Sequence, residues 1–511
     1  MSAKPLPVTA ALVVLACATS LSTTALAEPH TPLFGRHKVA APIVPAPRAV
    51  PVPVAAPTPP PPAPRPVDVA VAPVDAPTVA PAAPLTGIAQ LRAAYAFALP
   101  VYEMMRARYL QVSKAEGMGA PGVNRLYART VLADATSRDV TTPNNDTLYS
   151  SAWLDLAAGP VILDAPAMPN RYHSAALMDA FTNNVAIVGT RSGGTGGRYV
   201  IMGPGTELRS LPPGTTEIHS PTNDAWLLVR VLVNRPDDLP AATGLIRGFT
   251  LEGRDAALPK PIAVTTVPTA NPDAATFIAV VDEALRRNPV SPTTLARPEL
   301  AALGVTTAGI NPASVSPATM AEWAAALPKL RAEFKGGFGA TGTVVDGWSY
   351  PGPGIGHYGD SDDIARARVA LGGLGALPQT EAIYLAASSD SSGAALTGAK
   401  AYTVHLPPKL PVGAFWSLTI YQQDGDGRLF FVDTPSKRFA VGDRTPDLRA
   451  ERDGGYDIFV QPKAPSGERI VNWLPSPKGP FVVVFRAYLP KSSFLNGSFR
   501  LPPVAATEVI P

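Results

Sequence analysis

Beyond Arg129 the apolar residues of this chain come in short alternating runs cut by Pro, Gly and Asn: TLYSSAWLDL, GPVILDAP, HSAALMDAF, NVAIVGTR, RYVIMGPG and AWLLVRVLV. Side chains on a strand alternate between faces, so the pattern favours strands over helices, and several at short spacing predict an antiparallel sheet or sandwich. The signature returns after Lys400 in AYTVHL, AFWSLTIYQQ, RLFFVD, YDIFVQP and FVVVFRAYL. Helical spacing appears in GIAQLRAAYAFALPVYEMMRARYL, with Tyr95, Leu99, Tyr102 and Met105 near one face and Pro100 expected to kink or divide it. It recurs in DAATFIAVVDEALRRNP, ATMAEWAAALPKLRAEF and SDDIARARVALGGLG, the last with Ser361 as its cap and Asp362 and Asp363 at its positive end. The expected fold is mainly β with some helices (α+β): two consecutive antiparallel β-rich sandwich modules, residues 85–300 and 315–505, joined by a helical linker region near Pro289 to Pro317. No repeat of fixed period argues for a propeller or solenoid.

The N-terminus is of a different kind. MSAKPLPVTAALVVLACATSLSTTALA carries Lys4, an apolar run from Ala10 to Ala18, and Ala25 and Ala27 before Glu28, the pattern of a signal peptide over residues 1–27. The run is shorter than the roughly 20 residues that span a bilayer, so no transmembrane span is expected. The expected location is exported, periplasmic or secreted; the alternative is a lipoprotein anchored through Cys17, which follows Val14, Leu15 and Ala16. Residues 28–84 are rich in Pro, Ala and Val, favouring polyproline II over a packed core, and read as a disordered, semi-rigid tether. Cys17 is the only cysteine of the 511 residues, which excludes disulfides, thiol nucleophiles and Cys-based metal sites from the body. A net charge of +3 with no basic run gives no footprint for nucleic acid.

Familiar chemical signatures fail on context. GFGATG at Gly337 to Gly342 has dinucleotide-loop spacing, but it follows a helical pattern instead of a strand. GGTGG at Gly193 to Gly197 lacks the Lys-Ser/Thr of a phosphate loop and reads as a flexible hairpin tip, while DGDG at Asp424 to Gly427 has Arg428 where a calcium ligand belongs and reads as a hairpin turn. No HExxH, GxSxG or SxxK occurs, and the six histidines stand singly, so no cofactor and no metal are expected.

Polar density concentrates in TTPNNDTLYSSAWLDL and NRYHSAALMDAFTNN. If these strands pair, Asp146, Asp179, Tyr149 and Tyr172 become candidates for acid/base work, with Asn144, Asn145, Arg171 and Asn183 as binding groups. The alternative is structural: Asn and Asp of PNND satisfy backbone groups in an Asx turn, and Arg171 pairs with Asp146 or Asp179.

TPNNDTLYSSAWLDL, RYHSAALMDAFTNN and GGRYVIMGPG resemble a bacterial family known as domain of unknown function 1254. IGHYGDSDDIARARVALGGLG, EAIYLAASSDSSGAALTGAKAYTVHLP, PVGAFWSLTIYQQDG, RDGGYDIFVQP and NWLPSPKGPFVVVFRAYLP resemble its usual companion, domain of unknown function 1214. The resemblance implies two consecutive β-rich modules, the second jelly-roll-like, and supplies no catalytic residue. Trp416, Arg438 and Trp473 lie in matching motifs and are binding candidates, the tryptophans as stacking surfaces for a flat ligand or as core, with NWLPSP fixing a bend. Two functions compete. One is a binding module, monomeric or homo-oligomeric, holding a polar or aromatic small molecule or an envelope polymer in a cleft of its β modules; the other is a cofactor-free hydrolase using the Asp/Tyr/Arg cluster.

Overall fold

In the computed structural model, which describes residues 87–112, 122–138, 141–208, 210–211, 213–253, 266–334, 342–359, 362–424 and 428–510, the first group of runs folds as expected into strands. They are β1 (Tyr127–Ala128), β2 (Thr147–Asp155), β3 (Val161–Ala165), β4 (His173–Asp179), β5 (Asn184–Gly189), β6 (Gly197–Met202), β7 (Thr215–His219), β8 (Asp224–Leu232) and β9 (Thr250–Gly253). β1-β2-β8-β4-β5 form one sheet and β7-β6-β3-β9 another, with a core of Leu148, Leu163, Leu177, Ile201 and Val229. All pairings are antiparallel except β6 with β7, which is parallel. The GGTGG segment joins β5 to β6, which lie in different sheets, so it is a crossover and no hairpin tip. It is also tightly packed: Gly196 has φ +72°, and a Cβ there would meet Ala165 O and Ala167 N at 2.6 Å.

The helices are α1 (Gly87–Val112), α2 (Leu239–Arg247), α3 (Ala274–Arg287), α4 (Pro292–Leu295), α5 (Pro317–Phe334), α6 (Asp363–Gly373) and α7 (Ser492–Leu495). Between α4 and α5 lies a small hairpin of β10 (Val305–Thr306) and β11 (Gly309–Ile310). α1 continues through Pro100 without dividing, and every residue from Ala94 to Met105 is buried, not one face alone. An interior proline costs a helix about 3 kcal/mol. Burying Leu99, Val101 and Tyr102 around it contributes about 1.5–3 kcal/mol per large apolar side chain, which outweighs that cost. α1, α3 and α5 pool Tyr95, Phe277, Trp323 and Phe334 into one aromatic core that also takes Ala367 of α6. Asp362 is the cap of α6, accepting from Ala365 N at 3.2 Å; Ser361 lies outside the described residues.

The second group of strands is β12 (Thr343–Val345), β13 (Trp348–Tyr350), β14 (Ala382–Ala387), β15 (Ala401–Leu406), β16 (Val412–Gln423), β17 (Leu429–Phe430), β18 (Ala440–Gly442), β19 (Tyr456–Gln461), β20 (Trp473–Pro475), β21 (Phe481–Pro490) and β22 (Ala505–Thr507). A seven-stranded sheet, β12-β13-β14-β21-β16-β17 with β18 also on β16, faces the four-stranded β20-β19-β15-β22 across a core of Leu385, Val404, Leu418, Val460 and Phe485. This is the expected β-rich sandwich. The jelly-roll order is the part the strands do not carry: β22 lies at the sheet edge beside β15, and β20 pairs with β19 in parallel. NWLPSP thus contributes a short edge strand where a simple bend was expected.

Alternation along these strands sorts residues onto two faces, and in the central strands both faces are covered. All nine residues of β8 are buried. Leu227, Val229 and Val231 point into their own module's core, so the intervening residues Trp226, Leu228, Arg230 and Leu232 take the opposite face. In β21 the residues Val483, Phe485 and Ala487 belong to the second sandwich core, leaving Val484, Arg486 and Tyr488 on the outer face. The two outer faces meet: Tyr172, Ala176 and Leu232 pack with Leu377, Ala382, Phe415 and Tyr488.

Candidate functional site

The PNND segment enters this seam as a plug. Asn144 Oδ1 accepts from Asp146 N at 2.6 Å, the expected Asx turn, which frees Asn144 Nδ2 to donate to the Tyr488 hydroxyl at 2.6 Å. Pro143 O accepts from the Tyr421 hydroxyl at 2.5 Å. Asp146 accepts from Ser417 Oγ at 2.6 Å and from Arg444 Nη2 at 2.8 Å, and Arg444 Nη1 also donates to Val233 O at 3.0 Å. Tyr172 donates to Glu381 Oε1 at 2.8 Å, and Arg191 holds the other oxygen of that carboxylate at 2.7 Å. Burial and the neighbouring Glu381 charge push the Tyr172 phenol far above its ordinary range, so it remains a proton donor at any physiological pH.

Beyond the plug, two cross-strand rows line the seam. Tyr149, Arg230 and Ser174 are register partners across β2, β8 and β4, and Tyr384, Arg486 and Ser417 are register partners across β14, β21 and β16. Arg230 and Arg486 are 5% and 2% exposed. Arg486 donates to Thr419 Oγ1 at 2.8 Å, to the Tyr421 hydroxyl at 2.5 Å and to Thr142 O at 3.2 Å. Arg230 donates to Gly375 O at 2.9 Å through Nη2, and its buried Nη1 has no hydrogen-bond partner. Its guanidinium lies 5.3 Å from the centre of the Tyr149 ring. Among the described residues no carboxylate comes within 4.0 Å of a nitrogen of either arginine. Tyr149 and Tyr384 are half-buried.

The other sequence candidates lie elsewhere. Asp179, paired with Ala225 at the far end of β4, sits across the sheet from Asp146, which adjoins the Leu232 end of β8, so the two carboxylates do not share a site. Asp179 accepts from the backbone of Phe181 and Asn183 at 2.9 and 2.8 Å and from Asn183 Nδ2 at 3.0 Å, and burial raises its pKa. Arg171 pairs with Asp238, at 2.5 and 2.7 Å, and with neither expected partner. Asn145 is half-buried at the seam's edge, whereas Asn183 receives Tyr358 N at 3.0 Å away from it. Trp416 is core, stacked on Phe485 at 6.0 Å, and Trp473 donates to Gln461 O at 2.7 Å. Arg438 donates to Ile470 O at 2.8 Å and to Val471 O. No metal-binding group of His, Cys, Asp or Glu occurs among the described residues.

Sequence reasoning assigned no role to Arg230, Tyr384, Arg444, Arg486 or Tyr488. The available signal was a lone arginine in AWLLVRVLV and in FVVVFRAYL, since a charge in an otherwise unbroken apolar strand is rarely buried unless something meets it.

Residues 123–253 match the family described as protein of unknown function (DUF1254), and residues 381–492 match protein of unknown function (DUF1214). The chain has that two-module architecture. The DUF1254 region supplies the PNND plug and Arg230, and the DUF1214 region supplies Tyr384, Ser417, Arg444, Arg486 and Tyr488. The VPA0106 protein of Vibrio parahaemolyticus shares the fold, with a TM-score of 0.63 at 22% identity over 83% of this chain and 100% of its own. A Burkholderia cenocepacia protein gives a TM-score of 0.41 at 13% identity, over 81% of this chain and 89% of its own. No curated protein matches the chain. Among the described residues no helix is long and apolar enough to cross a membrane.

Proposed function

We propose that this is an exported binding protein whose seam between the DUF1254 and DUF1214 regions receives a small anionic molecule. The observation that carries the reading is Arg230: a guanidinium 5% exposed, one nitrogen without a partner, and no carboxylate beside it. Burying an unpaired charge is costly, and a bound anion removes that cost. The neighbouring carbonyl of Gly375, just past the C-terminus of α6, offers at most about half a unit of negative charge, which leaves the guanidinium under-compensated. Tyr149, Tyr384, Tyr172 and Tyr488 around it supply hydroxyls and ring faces, the lining of a site for a small polar or aromatic molecule. Export rests on the signal-like residues 1–27, and display away from a surface on the Pro-rich residues 28–84, both outside the described residues.

The hydrolase reading lacks a comparable observation. The Asp146 carboxylate is taken up by Ser417 and Arg444, and that of Asp179 by its own turn. The test is a thermal-shift panel in low-salt buffer with inorganic phosphate, sulfate, acetate, benzoate, phenyl phosphate and acidic sugars. At least one anion should raise Tm by several degrees, with the shift lost in Arg230→Met. A panel without any shift, or the same shift in the variant, overturns the reading.

A further inference from the structure

We propose that the ligand of the seam is a singly charged carboxylate carrying a flat ring, its carboxylate on Arg230 and its ring along Tyr149 and Tyr384. This rests on the anion-binding reading above and adds the number of charges, the shape of the head group and the nature of the body.

The number of charges follows from the side chains around the seam. Arg230, Arg444 and Arg486 are the cations. Asp146 is 2.8 Å from Arg444 Nη2, and Asp443 is 3.4 Å from Arg444 Nε. Arg191 and Glu381 close a separate neutral pair at 2.7 Å. Among the described residues, three guanidinium groups against two carboxylates leave one positive charge over at any pH above the value of about 6 to which burial raises Asp443. A monoanion neutralises it, whereas a phosphate dianion would leave a buried negative charge in its place.

The head group follows from Arg230 itself. With Nη2 donating to Gly375 O and Nη1 buried and unpartnered, the planar guanidinium keeps an unpaired edge that suits a planar carboxylate. The body follows from the walls. Arg230 lies 5.3 Å from the ring centre of Tyr149 and Arg486 lies 6.0 Å from that of Tyr384, while behind them Phe415 and Tyr488 stack with centroids 4.1 Å apart. A flat ring entering between the two half-buried phenols would meet aromatic surface and exclude water from the ion pair, strengthening it. Burial and the neighbouring phenols keep the Tyr488 hydroxyl protonated, so this wall adds no charge that would repel the carboxylate.

The experiment is isothermal titration of the full chain, in a low-salt zwitterionic buffer without added chloride or carboxylate, against benzoate, acetate, phenyl phosphate, inorganic phosphate, benzyl alcohol and chloride. Benzoate should bind at least tenfold tighter than acetate or either phosphate, with benzyl alcohol and chloride silent. Arg230→Met should weaken benzoate at least tenfold, and Tyr149→Ala, which removes the ring face along which the ligand would lie, should weaken it severalfold. Should Arg230→Met fail to fold, the ranking of probes on the unaltered chain and on Tyr149→Ala decides alone. Tighter binding of either phosphate, of acetate or of chloride overturns the inference while leaving an anion site in place. Benzyl alcohol binding as well as benzoate, or benzoate binding unchanged in the variants, also overturns it. Silence of every probe removes both this inference and the anion-binding reading.

Discussion

Asp146 lies one residue before β2, yet its side chain serves the other module, accepting from Ser417 Oγ at 2.6 Å and from Arg444 Nη2 at 2.8 Å. Removing one member of a buried ion pair typically costs 3–5 kcal/mol; because Arg444 keeps some contact with solvent, Asp146→Ala should lose about 3 kcal/mol by urea denaturation. Arg444→Ala should lose a similar amount, and the double variant should lose clearly less than the sum, since both remove the same interaction. The density of polar groups in PNND was legible in the sequence, and so was its Asx turn. Its partners were not, because they stand 271 and 298 residues away and nothing local to the segment encodes them. Arg230 escaped for the opposite reason: the surrounding run is so apolar that it reads as an ordinary strand, and only burial of both faces makes its charge conspicuous.

At the scale of elements, β8 begins at an ion cluster that ties it to α3. Arg287, last residue of α3, donates to both oxygens of Asp224, through Nε at 2.7 Å and through Nη2, and Asn288 Nδ2 adds a bond at 3.1 Å. Burial opposes the charge of Asp224, but the Arg287 hydrogen bonds and the Arg108 and Arg287 charges outweigh it and hold its pKa below the usual carboxylate range. A carboxylate depressed in the folded state adds stability that is complete above the unfolded value of about 3.9 and is lost as pH falls through the folded value. Asp224→Asn should therefore be less stable than the unaltered chain from pH 7 down to about 4, with the gap closing below that, measured by thermal melts across the series. Strand existence was well legible here, since period-two alternation is a local property, and so were α3, α5 and α6. The continuity of α1 through Pro100 was not, because it depends on residues from α3, α5 and α6 packed around it. β20 was equally hidden, its pairing being supplied by β19.

For the whole molecule, the helical core and the seam join the two halves, since α1 near the start packs with α6 from the second half and PNND is bonded to β16 and β21. Unfolding should be a single event: urea transitions followed by tryptophan fluorescence and by far-ultraviolet circular dichroism should coincide, whereas two separated midpoints would mean that the halves melt independently. The two-module organisation is thus readable in sequence as two groups of strands, but their interdependence is not, because hydropathy records that a face is apolar and not what will cover it.

The Asn144–Tyr488 bond spans 344 residues, which gives the seam a meaning during synthesis. At about 5–20 residues per second, a ribosome that has completed the first partner needs roughly 20–70 s more to produce the second. Through that interval α1 already covers Trp153 and Trp226, but the part of the first sheet's outer face that carries Tyr172, Ala176, Arg230 and Leu232 lacks its partners from the second half. The nascent chain must then be shielded by other proteins or held unfolded until its last strands arrive, and a chain truncated before β21 should be a target for proteolysis and not a smaller working protein.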